Sequence, residues 1–333
     1  MKKKATLDDI AKIVNLTKVS VSKALRDHPD ISDATKVKVK KVAKSLGYRP
    51  NLIARSLTSS KSKTIGVVVP KIAHNFFAHI VAGIQKSAAA EGYGIVLTVS
   101  DEDKMMEKQH LETLVSMQVE GLLVSVSMAT QTPEVFKWIR SLQIPLVFFD
   151  RHIAGLGFNS VVIDDEMASR NAVTELLNRG LTNIAHIGGY EWIEIGRKRR
   201  AGYEKALAER GIAVRAENVV DGGFGEDHGY NGFKKLIEQG ATPDAIFAVT
   251  FPVALGIYKA MKELDPAYFE SINVLTIGAD ELFTVFSYPK FYVDQPAIQI
   301  GHKACDLLIR EIKGDIKPSN HIEYVDTHFV ENR

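Results

Sequence analysis

A chain of 333 residues with 45% hydrophobic and 25% charged side chains exceeds what one hydrophobic core usually serves, and its composition is that of a soluble globular protein of two or three domains. Its single cysteine, Cys305, excludes an intrachain disulfide, no Cys/His cluster has zinc-ligand spacing, and no apolar run is long enough to span a bilayer. The net charge of +2 hides a split: residues 1–63 carry 16 Lys and Arg against 5 acids, and the remainder carries 26 against 35, so a polyanion partner is expected for the first part alone.

The start, "MKKKATLDDI", has lysines with no apolar run behind them, so no signal peptide is expected and a cytoplasmic location is. Three short helices follow. Thr6 can cap the first, with Asp9 completing a capping box, and Leu7, Ile10, Ala11 and Val14 form its apolar stripe. Asn15 suits a left-handed turn. Thr17 can cap a second helix running to about Leu25. Ser32 can cap a third, with Val37, Val42, Ala43 and Leu46 inward and Gly47 as its stop. Two short helices joined by a tight turn and braced by a third describe a helix-turn-helix unit. Its second helix, "LTKVSVSKAL", turns Val21, Ala24 and Leu25 to one face. Lys18, Ser20 and Ser22 lie away from that stripe, Lys23 lies beside it, and no carboxylate is among them. In this motif the second helix enters the DNA major groove, where hydroxyls and lysines suit phosphate oxygens and base acceptors. Pro50 and Asn51 then introduce barely two helical turns, Leu52 to Leu57, before the flexible polar run "TSSKSK".

From Thr64 the pattern changes. "TIGVVVP", "GIVLTVS", "EGLLVSVS" and "IPLVFFD" are continuous apolar runs, expected of parallel strands buried on both faces, with helices such as 77–91 and 104–117 between them. A second series, "NIAHIGG", "VVDGGF", "AIFAVT" and "NVLTIGA", follows. Two doubly wound α/β lobes fit this pattern. Ligands of such sheets bind beyond the C-terminal strand ends. The residues there are His74, Asn75, Phe76 and Phe77; Asp150 and Arg151; Tyr190 and Trp192; Phe224; Thr250 and Phe251; and Asp280. Aromatics and hydrogen-bonding groups dominate, as in a pocket for a polar small molecule.

Enzyme signatures are missing. The acids of "IDDEM" read as a helix N-terminus favoured by the dipole. His74, His79 and His186 are scattered without HExxH, and neither GxGxxG after a strand nor GxxxxGK[ST] occurs. Cys305 falls on the inner face of an amphipathic helix. No catalytic residue, metal or cofactor is expected.

The stretch from "TLDDIAKIVNLTKVSVSKALRDHPDISDATKVKVKKVAKSLGYRPNLIARSLTSSKSKTIGVVVP" resembles the N-terminus of the lactose-repressor (LacI/GalR) family of bacterial transcription regulators. The similarity continues in "GYGIVL", "VEGLLVS", "IPLVFFDR", "RRAGYEKAL", "DAIFAV", "VDQP" and "IGHKACDLL". The resemblance implies a helix-turn-helix domain (1–50), a hinge helix and linker (51–63), and a two-lobed periplasmic-binding-protein-like domain with parallel doubly wound sheets (64–333). Lobe 1 would hold about 64–160 and 294–320, and lobe 2 about 161–293 and 321–333. It also implies a homodimeric repressor on a pseudo-palindromic double-stranded DNA operator.

Residue by residue, Lys18 and Val19 match the positions that vary most with operator sequence, and Val19 would at most meet a thymine methyl. Lys23 stands where the family usually has a guanine-reading Arg, whose planar fork Lys lacks. Thr17, Ser20 and Ser22 match phosphate-contacting positions, and Thr6, Asn51 and Arg55 join the DNA-facing set. Leu57 matches the leucine wedged into the minor groove from paired hinge helices. The implied effector contacts are Phe76, Phe77, Arg151, Trp192, Arg199, Phe224 and Asp280. Phe251 stands where the family commonly has an acid, and Arg151 and Arg199 tilt the cleft positive. Of a sugar, sugar acid or sugar phosphate, an anionic effector is therefore favoured.

Overall fold

The computed structural model describes residues 5–48, 62–73, 75–280, 282, 285 and 288–332. The chain divides into two compact units, 1–62 and 63–333.

The first unit holds three helices, α1 (Leu7–Val14), α2 (Lys18–Leu25) and α3 (Asp33–Ser45). The capping box forms: Thr6 N donates to Asp9 Oδ2 at 2.8 Å and Asp9 N to Thr6 Oγ1 at 3.3 Å. Asn15 takes φ 57° and ends α1, and Thr17 Oγ1 accepts from Ser20 N at 3.1 Å to start α2. Ile10, Ala11, Val14, Val21, Ala24, Val39 and Ala43 make the core. Two readings of α3 change. Val37 is 67% exposed and Val39 takes the inward position, because two residues on a helix differ by about 200°; Leu46, at 37% exposed, lies at the rim where α3 ends. Ser32 precedes α3, but its hydroxyl meets Thr35 Oγ1 at 2.9 Å and makes no capping bond to the backbone. Residues 51–61 of the predicted hinge, with Asn51, Arg55 and Leu57 among them, lie outside the described residues.

The second unit is built on two sheets. The first comprises β1 (Thr64–Val69), β2 (Gly94–Val99), β3 (Gly121–Val124), β4 (Leu146–Phe149), β5 (Asn159–Val162) and β11 (Ile322–Tyr324), in the order β11-β5-β4-β3-β1-β2 and parallel throughout. The second comprises β6 (Ile184–Gly188), β7 (Val219–Asp221), β8 (Ala245–Ala248), β9 (Asn273–Ile277), β10 (Phe291–Asp294) and β12 (His328–Glu331), in the order β12-β10-β9-β8-β6-β7. Only β12, antiparallel to β10, departs from the parallel arrangement in that sheet. Central strands such as β3, β4 and β8 are buried along their whole length, as their unbroken apolar runs require.

The chain passes between lobes after β5, again after β10, and a third time between β11 and β12. The expected boundary at 321 shifts accordingly: Ile322 pairs with Ser160 in the first sheet, and only His328–Glu331 joins the second. Two strands of three and four residues are too short to carry a periodicity that assigns them to a sheet.

The helix Ala297–Lys313 returns to the first lobe and lies along Asn75–Ala90. Contact is backbone to backbone. A Cβ on Gly83 would overlap the Ile298 carbonyl oxygen, and one on Gly301 would overlap that of Ile80. In the second lobe, Arg199 of helix Glu194–Ala208 and Asp165 at the start of helix Asp165–Asn178 form a buried pair, Nε to Oδ1 2.7 Å. The same guanidinium donates from Nη1 to the Val249 carbonyl at 2.6 Å.

Two stability predictions follow from these contacts. Gly301→Ala forces the paired helices apart and should cost about 1–3 kcal/mol, read as a lower urea midpoint at unchanged slope. Arg199→Ala strands the Asp165 carboxylate in a dry site and should cost about 3–5 kcal/mol, while Arg170→Ala, at an exposed ion pair with Glu209, should cost about 1 kcal/mol or less. Equal midpoints for the two arginine variants would refute the structural role assigned to Arg199.

Candidate functional site

In the first unit the candidate surface is the outer face of α2. Val21 and Ala24 are fixed inward by α1 and α3, which leaves Lys18, Val19, Ser22 and Lys23 turned away from the core. Val19 is 64% exposed, an apolar side chain held in water. The hydroxyls are partly committed: Thr17 Oγ1 and Ser20 Oγ are 2.9 Å apart. Both lysines meet acids that the sequence pattern did not pair with them, Lys18 with Asp8 at 2.9 Å and Lys23 with Asp30 at 2.7 Å. The hydrogen bond from Lys23 holds the Asp30 carboxyl below the usual carboxylate range. These pairs are solvent-exposed, so each contributes little and yields readily to another anion.

In the second unit, loops from both sheets meet at the strand ends. After β1, Asn75 Nδ2 donates to Asp280 Oδ2, beyond β9, at 2.9 Å. Beyond β4, the Arg151 guanidinium lies 5.6 Å from the ring centroid of Phe224, beyond β7. These two contacts join one lobe to the other. Tyr190 stacks on Trp192 at 4.2 Å, meets Phe224 edge-on at 6.1 Å, and bonds His228 Nε2 through its hydroxyl at 3.1 Å. Beside this aromatic group lies a cavity of about 360 Å³, bordered by Ser127, Thr130, Asp150, Arg151, His152 and Trp192 among others.

The structure distributes the sequence-predicted effector residues unevenly. Arg151 and Trp192 border the cavity, and Phe224 backs Arg151. Asp280 is held by Asn75 and by Leu282 N at 2.9 Å. Phe77 belongs to the buried core cluster that runs through both lobes, with Phe76 packed edge-on against it at 5.2 Å. Arg199 is consumed by Asp165 and Val249 and does not border the cavity. The expected positive tilt is also absent among the described residues: Arg151 is neutralised by Glu102 at 2.9 Å, Arg199 by Asp165, and Lys198 by Glu194 at 2.7 Å.

Several residues were missed. Glu102 follows β2, so the strand-end rule applied to every strand would have found it. Its carboxylate holds Arg151 and accepts from Met128 N at 2.8 Å. Glu107 is buried within helix Lys104–Ser116 and accepts from Ser127 N and Thr130 Oγ1, both at 2.6 Å. Burial pushes its carboxyl up. No local sequence signal marks it. Together these two glutamates fix the loop after β3 that borders the cavity. Asp150, already among the strand-end residues expected from the sequence, adopts φ 60°, and burial, opposed by Arg151 and Arg199, pushes its carboxyl up to about 6. Burial likewise pulls His152 below the usual imidazole range, against the pull of Glu194.

No described helix is long and apolar enough to cross a membrane. Among the described residues no group of His, Cys, Asp and Glu could hold a metal ion.

Comparison with known proteins agrees with both halves. Residues 62–327 match the family profile described as periplasmic binding proteins and sugar binding domain of LacI family, and residues 6–51 match that of bacterial regulatory proteins, lacI family. Catabolite control protein A of Priestia megaterium is 29% identical over 319 residues, 96% of each chain. The ribose operon repressor of Escherichia coli (strain K12) is 28% identical, covering 92% of this chain and 93% of that protein. Among solved structures, the lac repressor dimer bound to operator and the anti-inducer ONPF superposes with a TM-score of 0.86 at 22% identity, over 99% of this chain and 98% of that one. This likeness shows the fold. With the two profiles spanning the helical unit and nearly all of the two-lobed unit, the chain belongs to the lacI family of bacterial regulatory proteins.

Proposed function

We propose that this chain is a ligand-responsive transcriptional repressor, a cytoplasmic homodimer with no catalytic role. Residues 1–50 bind half-sites of a pseudo-palindromic operator, residues 51–63 form the hinge, and residues 64–333 bind a small sugar-like molecule between the lobes. The observation that carries this reading is the union, in one chain, of a basic helix-turn-helix head with a two-lobed strand-end cleft. Relatives named as a catabolite control protein and ribose operon repressors, and structural neighbours with cellobiose and with fructose 1-phosphate, support a sugar-like effector.

In this reading Lys18, Val19 and Lys23 face base edges, Thr6, Thr17, Ser20 and Ser22 face phosphates, and Asn51, Arg55 and Leu57 act from the hinge. Arg151 and Trp192 contact the effector, with Phe76, Phe224 and Asp280 shaping the mouth. Phe77 and Arg199 support that wall from the core. Coupling is linkage: a ligand that favours one angle between the lobes changes whether two hinges meet on DNA, a bias of typically 1–3 kcal/mol.

Two experiments test this. With an operator selected from random DNA by the full chain, Lys23→Ala should lose about 1–3 kcal/mol and relax preference mainly at one base pair of each half-site. Asp30→Asn, which frees Lys23 from its acid, should bind at least as tightly as the unaltered chain in the same anisotropy titration. If Lys23→Ala keeps both affinity and preference, α2 does not read bases through Lys23. In the second experiment, residues 64–333 alone should remain folded and dimeric by light scattering yet show no specific affinity for that operator. Tight specific binding by this fragment would overturn the division of labour.

A further inference from the structure

The charge inventory of the cleft points to the chemistry of its ligand. Two cations border the cavity and a third, Arg199, lies outside its lining, and each has its own carboxylate within 2.9 Å: Glu102 for Arg151, Glu194 for Lys198 and Asp165 for Arg199. Asp150 is the fourth carboxylate. Its side chain is 8% exposed, its distance to Arg151 Nε is 3.9 Å, and its hydrogen bond is to the Ser125 hydroxyl at 3.2 Å. It borders the cavity. Two residues on, the His152 side chain is 6% exposed and borders the same space. Its Nε2 lies 3.3 Å from Glu194 Oε2 but off the line of a hydrogen bond, and it has no hydrogen-bond partner among the described residues. The third element is Trp192, 60% exposed at the cavity wall and stabilised from behind by Tyr190.

A buried carboxylate whose nearest cation is already held by another acid, an imidazole nitrogen without a hydrogen bond and an exposed indole ring share one preference. The carboxylate attracts positive charge, an imidazole nitrogen that carries no proton offers a lone pair, and the indole face attracts a cation. Resting on the reading of the cleft as an effector site, we propose that the cavity binds a small amine-bearing sugar, with the protonated amine seated among Asp150, His152 and Trp192. An ammonium supplies three N–H donors and the missing positive charge. A phosphate or carboxylate group would meet Asp150 and would find both bordering cations already paired, Arg151 in a mostly buried ion pair and Lys198 in a partly exposed one. A neutral sugar would leave the Asp150 charge unmatched. This assignment replaces the anionic effector favoured by counting arginines in the sequence.

The test uses the full-length chain and matched trios in the gluco, galacto and manno series: the 2-amino sugar, the parent sugar and its 6-phosphate. Calorimetry at pH 7.0 should show the amino sugar binding at least tenfold more tightly than its parent in one series, with the phosphate weakest. Asp150→Asn should reduce that preference to threefold or less. Asn tolerates the left-handed backbone that residue 150 adopts, and a thermal melt confirms folding. Trp192→Leu, at an exposed position, gives a second variant in which the preference should fall. Tighter binding of a parent sugar or a phosphate overturns the amine assignment and leaves the sugar-cleft reading standing. A preference that survives in both folded variants also overturns it. Absence of binding by all nine compounds overturns the amine assignment and the sugar reading together.

Discussion

Arg199 and Asp165 carry opposite charges out of solvent, at 2% and 5% exposure, and three elements of the second lobe meet on that pair. Two ions withdrawn from solvent each lose several kcal/mol of hydration, which their attraction offsets only when geometry and further hydrogen bonds are good. Here the guanidinium has a carboxylate on Nε and a backbone carbonyl on Nη1. Asp165 opens the helix that follows the first lobe crossing, and Val249 directly follows β8, so one side chain ties together three elements of the second lobe. The cost is chemical: an arginine satisfied in this way has little left for a ligand.

The parallel sheets set the second constraint. A parallel strand cannot be joined to its neighbour by a tight turn, so each connection crosses back over the sheet and the C-terminal ends line up along one edge. With two such sheets in one unit, the strand-end loops of both reach the same mouth. The direct links across it described above are one amide–carboxylate hydrogen bond, one guanidinium–ring contact and the approach of His152 to Glu194. The first two are modest in energy. A ligand touching both lobes therefore competes with weak contacts at the mouth, while one buried cluster runs through both lobes and each lobe has a further cluster of its own.

The helical head follows a different economy. Its core is small, its caps are local, and its lysines rest on exposed acids in solvent. Exposed pairs are screened by salt and contribute little to stability. The same weakness leaves the cations of α2 available to a denser array of negative charge such as a nucleic-acid backbone.

The sequence by itself determined whatever depends on neighbours within a few residues. The Thr6–Asp9 box, the left-handed Asn15, the Thr17 cap and the unbroken apolar strands are all legible, because capping, turn geometry and two-sided burial act over one to eight positions. Family resemblance and the strand-end rule also brought Arg151, Trp192 and Asp150 to one region. Tertiary structure alone decided which acid meets which base. Glu102 and Arg151 are 49 positions apart, and Arg199 and Asp165 are 34 apart, so no local pattern links them. Counting arginines gave a positive cleft, whereas folding neutralised each one. Charge in a cleft is a sum over every group within a few ångströms, and that sum exists only once the chain has closed on itself. The sheet membership of Ile322–Tyr324 and the inward turn of Val39 in place of Val37 were settled in the same way, by partners that the chain brings from a distance.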